Sequence, residues 1–272
     1  MSMQRRFGGY DIQRFVDGVY KAPVEHLVHR DGEAALGAAL AGFDGKMVDM
    51  DVNCFTLSGP DGLSLIDAGC GTAWGGDYGH ARAAMIAAGF QPQDVSRVLL
   101  THIHGDHALG LFEGDACYFP NAEIWAPETD LAFFTSEEER SKLPSARQGA
   151  FDIVARLVDV YGDRVRPIPA GRVADGMEAI PLPGHTPGHT GYLVGEGADR
   201  LLLWGDVLHS VDFQSADPAV GVIYDIDQQL AYDTRLTALN DAAENGWVVC
   251  GGHLTGFFRI NREDGAFRFV PE

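Results

Sequence analysis

Short apolar runs alternate with glycine-rich breaks along this chain, and the period of the runs changes with position. Tyr10-Asp11-Ile12-Gln13-Arg14-Phe15-Val16 alternates apolar and polar positions, which predicts a half-buried strand. Cys54–Leu57 and Leu63–Ile66, joined by Ser58-Gly59-Pro60-Asp61-Gly62, predict a hairpin. His80–Ala88 predicts a helix closed by Gly89, and Ser96–Leu100 a strand. The middle reads as more helical. Thr129–Phe134 is apolar toward its end, and Ile153, Leu157 and Val160 recur at helical spacing within Gln148–Tyr161. Between them Thr135–Ser145 is polar and holds Pro144, which predicts an exposed loop with Glu137-Glu138-Glu139 on a solvated face. Strands return at Gly191–Val194 and Leu201–Trp204, then a helix over Asp227–Glu244 and a strand at Trp247–Cys250. Phe257–Val270 predicts a hairpin turning at Glu263-Asp264-Gly265. This order predicts an α/β protein of two packed sheets with helices outside. No linker divides it, so residues 1–272 are expected to form a single domain.

Composition narrows the picture. At 46% hydrophobic and 22% charged residues, the chain can build a large core. The net charge is −19, from 20 basic and 39 acidic residues, which disfavours nucleic acid or an anionic membrane surface as partner. Met1-Ser2-Met3-Gln4-Arg5-Arg6-Phe7 is basic but leads into no apolar run of signal-peptide length, and no stretch approaches a membrane span. A cytoplasmic protein is expected. Cys54, Cys70, Cys117 and Cys250 are widely spaced and read as buried free thiols.

The candidate chemistry is concentrated in Thr101-His102-Ile103-His104-Gly105-Asp106-His107, directly after Val98-Leu99-Leu100. So many imidazoles and a carboxylate at one strand end exceed what folding needs, and His with carboxylate is the usual donor set for hard or borderline cations. The spacing suits two adjacent ions better than one. Three further donors each follow an apolar or glycine-rich strand end: His185 in Pro183-Gly184-His185-Thr186-Pro187-Gly188-His189, Asp206 in Leu203-Trp204-Gly205-Asp206, and His253 in Cys250-Gly251-Gly252-His253.

In this order, the motifs resemble the metallo-β-lactamase fold superfamily of metal-dependent hydrolases. The resemblance implies a four-layer αβ/βα sandwich. It implies that His102, His104 and His185 bind one metal, that Asp106, His107 and His253 bind a second, and that Asp206 bridges them. Asp67, in Leu65-Ile66-Asp67-Ala68-Gly69, matches a further motif and is expected to orient a ligand. Trp204–His209, Phe213-Gln214, Pro218, Asp225-x-Asp227 and the ending Gly265-x-Phe267-x-Phe269-Val270-Pro271 look like the methyl parathion hydrolase branch. The doubled Gly-His-Thr-Pro-Gly-His-Thr is shared with acyl-homoserine lactonases. The implied activity is hydrolysis of a lactone, aryl ester or phosphotriester by a metal-bridging hydroxide, with Asp106 or Asp206 shuttling the proton. Zn²⁺ is the expected metal, and Mn²⁺, Co²⁺ or Fe²⁺ also suit nitrogen and oxygen donors. A small-molecule substrate and a homodimer are expected. The alternatives are a mononuclear iron enzyme of the superfamily that oxidises persulfides, and a binding protein that keeps the fold.

His209, three residues past Asp206, stands where some lactonases of the superfamily carry a substrate-contacting Tyr, so it is a candidate donor to the substrate. His189 is expected to bond backbone, outside the metal set. His26, His29 and His80 are expected to be solvated. Among the aromatics, Trp74 and Phe112 are the better candidates for a substrate pocket, ahead of Trp125, Phe133 and Phe134.

Overall fold

The computed structural model describes residues 4–263 and 265–272. Met1–Met3 of the basic start and Asp264 of the expected last turn lie outside the described residues. The first sheet has the strand order Gln4–Phe7, Tyr10–Pro23, Met47–Gly59, Gly62–Ile66, Val95–Leu99, Glu123–Pro127, Val165–Ile168. The second has the order Gly171–Ala174, Met177–Pro181, Thr190–Glu196, Asp199–Leu203, Val248–Cys250, Phe258–Glu263, Ala266–Pro271. Both sheets mix parallel and antiparallel pairs.

Side chains of the first sheet alternate between two cores, as the strand period requires. Ile12, Phe55, Ile66 and Leu99 join Tyr192, Leu201 and Leu203 of the second sheet. Their neighbours Phe15, Cys54, Leu65 and Val98 face the other way, against Met85, Phe151 and Leu157 of the helices His80–Ala87 and Gly149–Tyr161. Ala238, Leu239 and Ala242 of the helix Gln228–Asn245 cover the second sheet. Helices outside two packed sheets are the expected α/β layering.

The expected elements form, with boundaries moved by a few residues. Asp227 caps the last long helix by accepting from the Leu230 N–H, so the helix starts one residue later than expected. Thr135–Ser145 departs from the loop expected there. It contains the helix Glu137–Lys142, whose N-terminus is capped by Ser136 accepting from Glu139 N–H. The three glutamates that looked like a loop signal fill the first helical turn, where negative charge complements the exposed N–H groups. Pro144 ends the segment. All four cysteines are free thiols, three of them buried and Cys117 half-buried. No helix among the described residues is long and apolar enough to cross a membrane.

Candidate metal centre

The strand ends build the site. Ile66, Leu99, Leu203 and Cys250 end the parallel pairs near the middle of each sheet, and the loops beyond them carry Asp67, His102–His107, Asp206 and His253. His185 arrives on the loop between Met177–Pro181 and Thr190–Glu196. Glycine makes the approach possible. A Cβ on Gly205 (φ +56°) would lie 2.5 Å from His189 Nε2, and one on Gly252 would lie 2.4 Å from Asp206 Oδ1. Asp67 is the one non-glycine residue with positive φ among the described residues, at 56°. Such backbone strain, about 1–3 kcal/mol, collects at functional sites. Asp67 is held there by its own N–H on Leu99 C=O and by Thr101 N–H donating to Oδ1.

The expected ligands converge in two groups. His102, His104 and His185 bring their donor atoms within 4.8 Å of one another, and so do Asp106, His107, Asp206 and His253. Asp206 also lies between the groups. Its Oδ1 is 3.2 Å from His107 Nε2, and its Oδ2 is 3.0 Å from His253 Nε2 and 3.3 Å from His185 Nε2. His104 Nδ1 is 3.0 Å from His185 Nε2.

Outer partners set the protonated side of four of the rings. His107 Nδ1–H donates to Asp67 Oδ2 at 2.8 Å, and His185 Nδ1–H to Asp225 Oδ1 at 2.7 Å. His253 Nδ1–H donates to the Asp51 carbonyl at 2.8 Å. Thr101 gives its hydroxyl proton to Asp67, so its oxygen accepts from His102 Nδ1–H at 3.1 Å. The lone pair is thereby turned inward as Nε2 on all of these rings. Buried His102 Nε2, His107 Nε2 and Asp206 Oδ1 have no hydrogen-bond partner among the described residues. Buried acceptors without donors are costly, and a divalent cation satisfies this donor set. Nitrogen and oxygen ligands with no thiolate among them suit zinc and its neighbours.

Electrostatics agree. Burial alone would lower His107, but Asp206, Asp106 and Asp67 outweigh it and raise the imidazole well above its usual range. His253 is raised in the same way, against burial, by Asp206 and Asp106. Burial would raise Asp106 and Asp206, yet His107 and His253 hold both below the usual carboxylate range. Carboxylates that draw protons onto neighbouring rings equally draw a cation. Burial pushes His102 well down and His104 to about 3, so these rings stay neutral donors.

The remaining expected residues divide. His209 stacks on His253 with ring centroids 5.0 Å apart, and its Nε2 is 3.4 Å from Asp206 Oδ2. Burial lowers it to about 4, so it is neutral. His189 donates to the Leu182 carbonyl through Nδ1 and accepts the Asp206 backbone N–H on Nε2, outside the donor set as expected. Above the site opens a cavity of about 650 Å³. Trp74 and Phe134 line it, but Phe112 does not. Phe112 starts a short strand and turns into the lower core, where Arg156 and Tyr161 cover it. Trp125 and Phe133 also pack against the cores. His26 and His29 are not solvated: they bond Tyr224 and Asp217. His80 is exposed.

Sequence reasoning missed the roles of two buried carboxylates. Asp225 orients His185, although it was visible only as part of a motif. Asp130 accepts from Thr186 Oγ1 at 2.8 Å, Gly188 N–H at 2.6 Å and Ile103 N–H at 3.3 Å, tying the first ligand loop to the His185 loop. An Asp in the first turn of a helix gave no signal beyond helix capping.

Comparison with known proteins places this geometry. The chain is 28% identical over 155 residues to the uncharacterized protein YobT of Bacillus subtilis, covering 57% of this chain and 61% of that one. It is 33% identical over 135 residues to a hydroxyacylglutathione hydrolase of Xanthomonas axonopodis, covering 50% and 41%. The chain thus spans less than two thirds of the length of these curated relatives. Its structure superposes on the crystal structure of a beta lactamase superfamily hydrolase, AbOPH, with TM-score 0.89, 26% identity and coverage of 100% and 97%. It also superposes on AidC, a dizinc quorum-quenching lactonase in complex with an N-hexanoyl-L-homoserine product, with TM-score 0.85, 20% identity and the same coverage. The profile of the Metallo-beta-lactamase superfamily matches residues 47–253, a span that takes in every residue of the two donor groups, and the chain belongs to that superfamily.

Proposed function

We propose that this protein is a dinuclear metallohydrolase of small ester-like substrates: lactones, aryl esters or phosphotriesters. The observation that carries the reading is the pair of donor groups on either side of Asp206, at the base of a cavity large enough for one drug-sized molecule. His102, His104 and His185 would hold one cation, Asp106, His107 and His253 the other, with Asp206 between them. When bound, two divalent ions supply a water of near-neutral pKa and a Lewis acid for the substrate oxygen. The second donor group, complete around His253, favours two ions over one and hydrolysis over the mononuclear iron chemistry. The hydroxyacylglutathione hydrolase relative and the lactonase-like structural neighbours support an acyl-type substrate.

The chain's own residues supply the rest. His189 fixes the Asp206 backbone, and Asp67 and Asp225 fix the ring planes of His107 and His185. His209, neutral and on the cavity wall, is placed to offer a ring N–H to the substrate or leaving group. Leu109, Phe134, Ala150, Ile153 and Ile226 give the cavity an apolar side that excludes water from the reacting bond. Asp106 is on the wall and can accept a proton there. The test is metal content and ester turnover together. The zinc- or manganese-loaded protein should carry close to two ions and cleave an acyl lactone or aryl ester, and His185→Ala should lose turnover while keeping its circular dichroism. Equal activity in that variant would refute the reading.

A further inference from the structure

One wall of the cavity carries a hydrogen-bonded chain that the hydrolytic site does not use. Tyr20 lies near the end of the long strand Tyr10–Pro23, paired with Met50. Tyr224 follows the short strand Val220–Val222, which pairs with Leu27–His29, and Ile223 N–H donates to the His26 carbonyl. This ribbon brings together residues about two hundred positions apart. Tyr20 Oη and Tyr224 Oη are 2.7 Å apart, and Tyr224 Oη also bonds His26 Nδ1. The rings pack edge to face, Tyr224 on Tyr20 at 6.2 Å and on His26 at 5.5 Å, and Trp74 leans on Tyr20 at 6.1 Å. Tyr20, Tyr224 and Trp74 line the same cavity as Asp106, His209 and His253.

Proton counting singles out Tyr20. A phenol has one proton to give. If Tyr224 gives its proton to His26 Nδ1, Tyr20 donates to Tyr224 and keeps lone pairs free. If His26 donates, Tyr224 either donates to Tyr20, whose own proton is then free, or accepts from Tyr20 as well, which leaves Tyr20 its lone pairs. In every arrangement the Tyr224 hydroxyl is bonded on both sides, while Tyr20 has capacity left and no other protein partner among the described residues. A hydroxyl whose bonding capacity was filled within the protein would have nothing to offer a ligand. This one is held in orientation from behind and left open on a cavity wall.

We propose that Tyr20 is a specificity residue that hydrogen-bonds a polar group of the substrate remote from the bond being cleaved, and that Tyr224 and His26 are positioning residues for its hydroxyl. This rests on the hydrolase reading. The substrate so recognised has an electrophilic centre at the donor groups, an apolar part against Phe134 and Ile153, and a hydroxyl or carbonyl that reaches Tyr20. A group able both to donate and to accept fits every proton arrangement.

The test uses carboxylates that stand in for hydrolysis products and are themselves inert. Affinities of the zinc-loaded protein for a short series of ω-hydroxycarboxylates and their unsubstituted parents are measured by calorimetry. At the chain length that reaches Tyr20, the preference for the hydroxy acid over its parent should fall about fivefold in Tyr20→Phe, the value of one neutral hydrogen bond of about 1 kcal/mol. Tyr224→Phe and His26→Ala should lower the same ratio while leaving Tyr20 in place, with melting curves confirming the fold. An unchanged ratio in Tyr20→Phe at every chain length would overturn the proposal. So would equal weakening of both acids in all the variants, which is the signature of a packing role, or failure of every acid to bind the parent protein. Because binding is read without turnover, failure of the hydrolase reading would show separately, as absent cleavage of esters.

Discussion

Gly252→Ala tests the centre most directly, because the structure fixes both the size of the intrusion and the absence of room to absorb it. The new methyl would sit 2.4 Å from Asp206 Oδ1 and 2.7 Å from His107 Cε1, where real Cβ atoms stay beyond 3.0 Å. Something must move by about half an ångström or more. Neither neighbour is free to do so. His107 is bonded to Asp67 at 2.8 Å, and the Asp206 backbone is bonded to His189 at 2.8 Å. Gly252 is itself held, with its N–H on Gly205 C=O and its carbonyl accepting from Asn53 N–H. Metal–ligand distances tolerate only about ±0.2 Å, so the donors around His107, Asp206 and His253 should lose their cation before the fold gives way. The expected result is a drop in metal content from near two ions toward one, a second-ion affinity about 10–100-fold weaker, and an overpacking cost of about 1–3 kcal/mol. Mass-spectrometric metal analysis after dialysis against a competing chelator gives the stoichiometry, and thermal melting gives the cost. A variant that keeps two ions at parental affinity would show that this glycine does not border a metal, and the assignment of the second donor group would fall with it.

Other expectations follow from the same geometry. Asp225→Asn removes the charge behind His185 but keeps an acceptor, and should weaken metal retention about 10–100-fold in a chelator competition with little change in circular dichroism. Gly37 lies inside the helix Glu33–Ala39 with ordinary φ, and an added methyl would meet nothing within 4 Å, so Gly37→Ala should stabilise by about 0.5–1 kcal/mol, read as a melting point raised by about 2 °C. Burial raises Asp130 from 3.8 to about 6. The folded state therefore binds this proton more tightly than the unfolded state, and its contribution to stability falls as pH rises from about 4 through 6. Chemical denaturation at a series of pH values should show that decline in the parent and a flatter profile in Asp130→Asn.

The sequence announced the centre because its donors are local: His102, His104, Asp106 and His107 share one strand end, and the later donors each follow a glycine-marked one. Layering was legible for a similar reason, since strand alternation and helical spacing are short-range patterns. What it concealed depends on long-range contact or on direction. His26 and His29 looked solvated because their partners stand 198 and 188 residues away. Tyr20 and Tyr224 gave no signal apart. Phe112 lies close to the ligand helix in sequence, but closeness does not say which way a ring points, and it turned into the core. The helix after Ser136 was different. The Ser136-x-x-Glu139 cap was readable, and the polarity of the segment with Pro144 outweighed it.

The split of the donors between the sheets has a mechanical consequence. His102–His107 extend from the first sheet, whereas His185, Asp206 and His253 extend from the second. A cation held by both sides is a rivet through the seam of the sandwich, and the halves cannot part without releasing it. Unfolding then requires metal release, and metal loss leaves a folded but less stable molecule. At a free metal concentration about a thousandfold above the dissociation constant, one rivet adds about 4 kcal/mol. The lifetime of the molecule would follow the metal supply around it, so starvation for the ion would shorten that lifetime as well as end the activity.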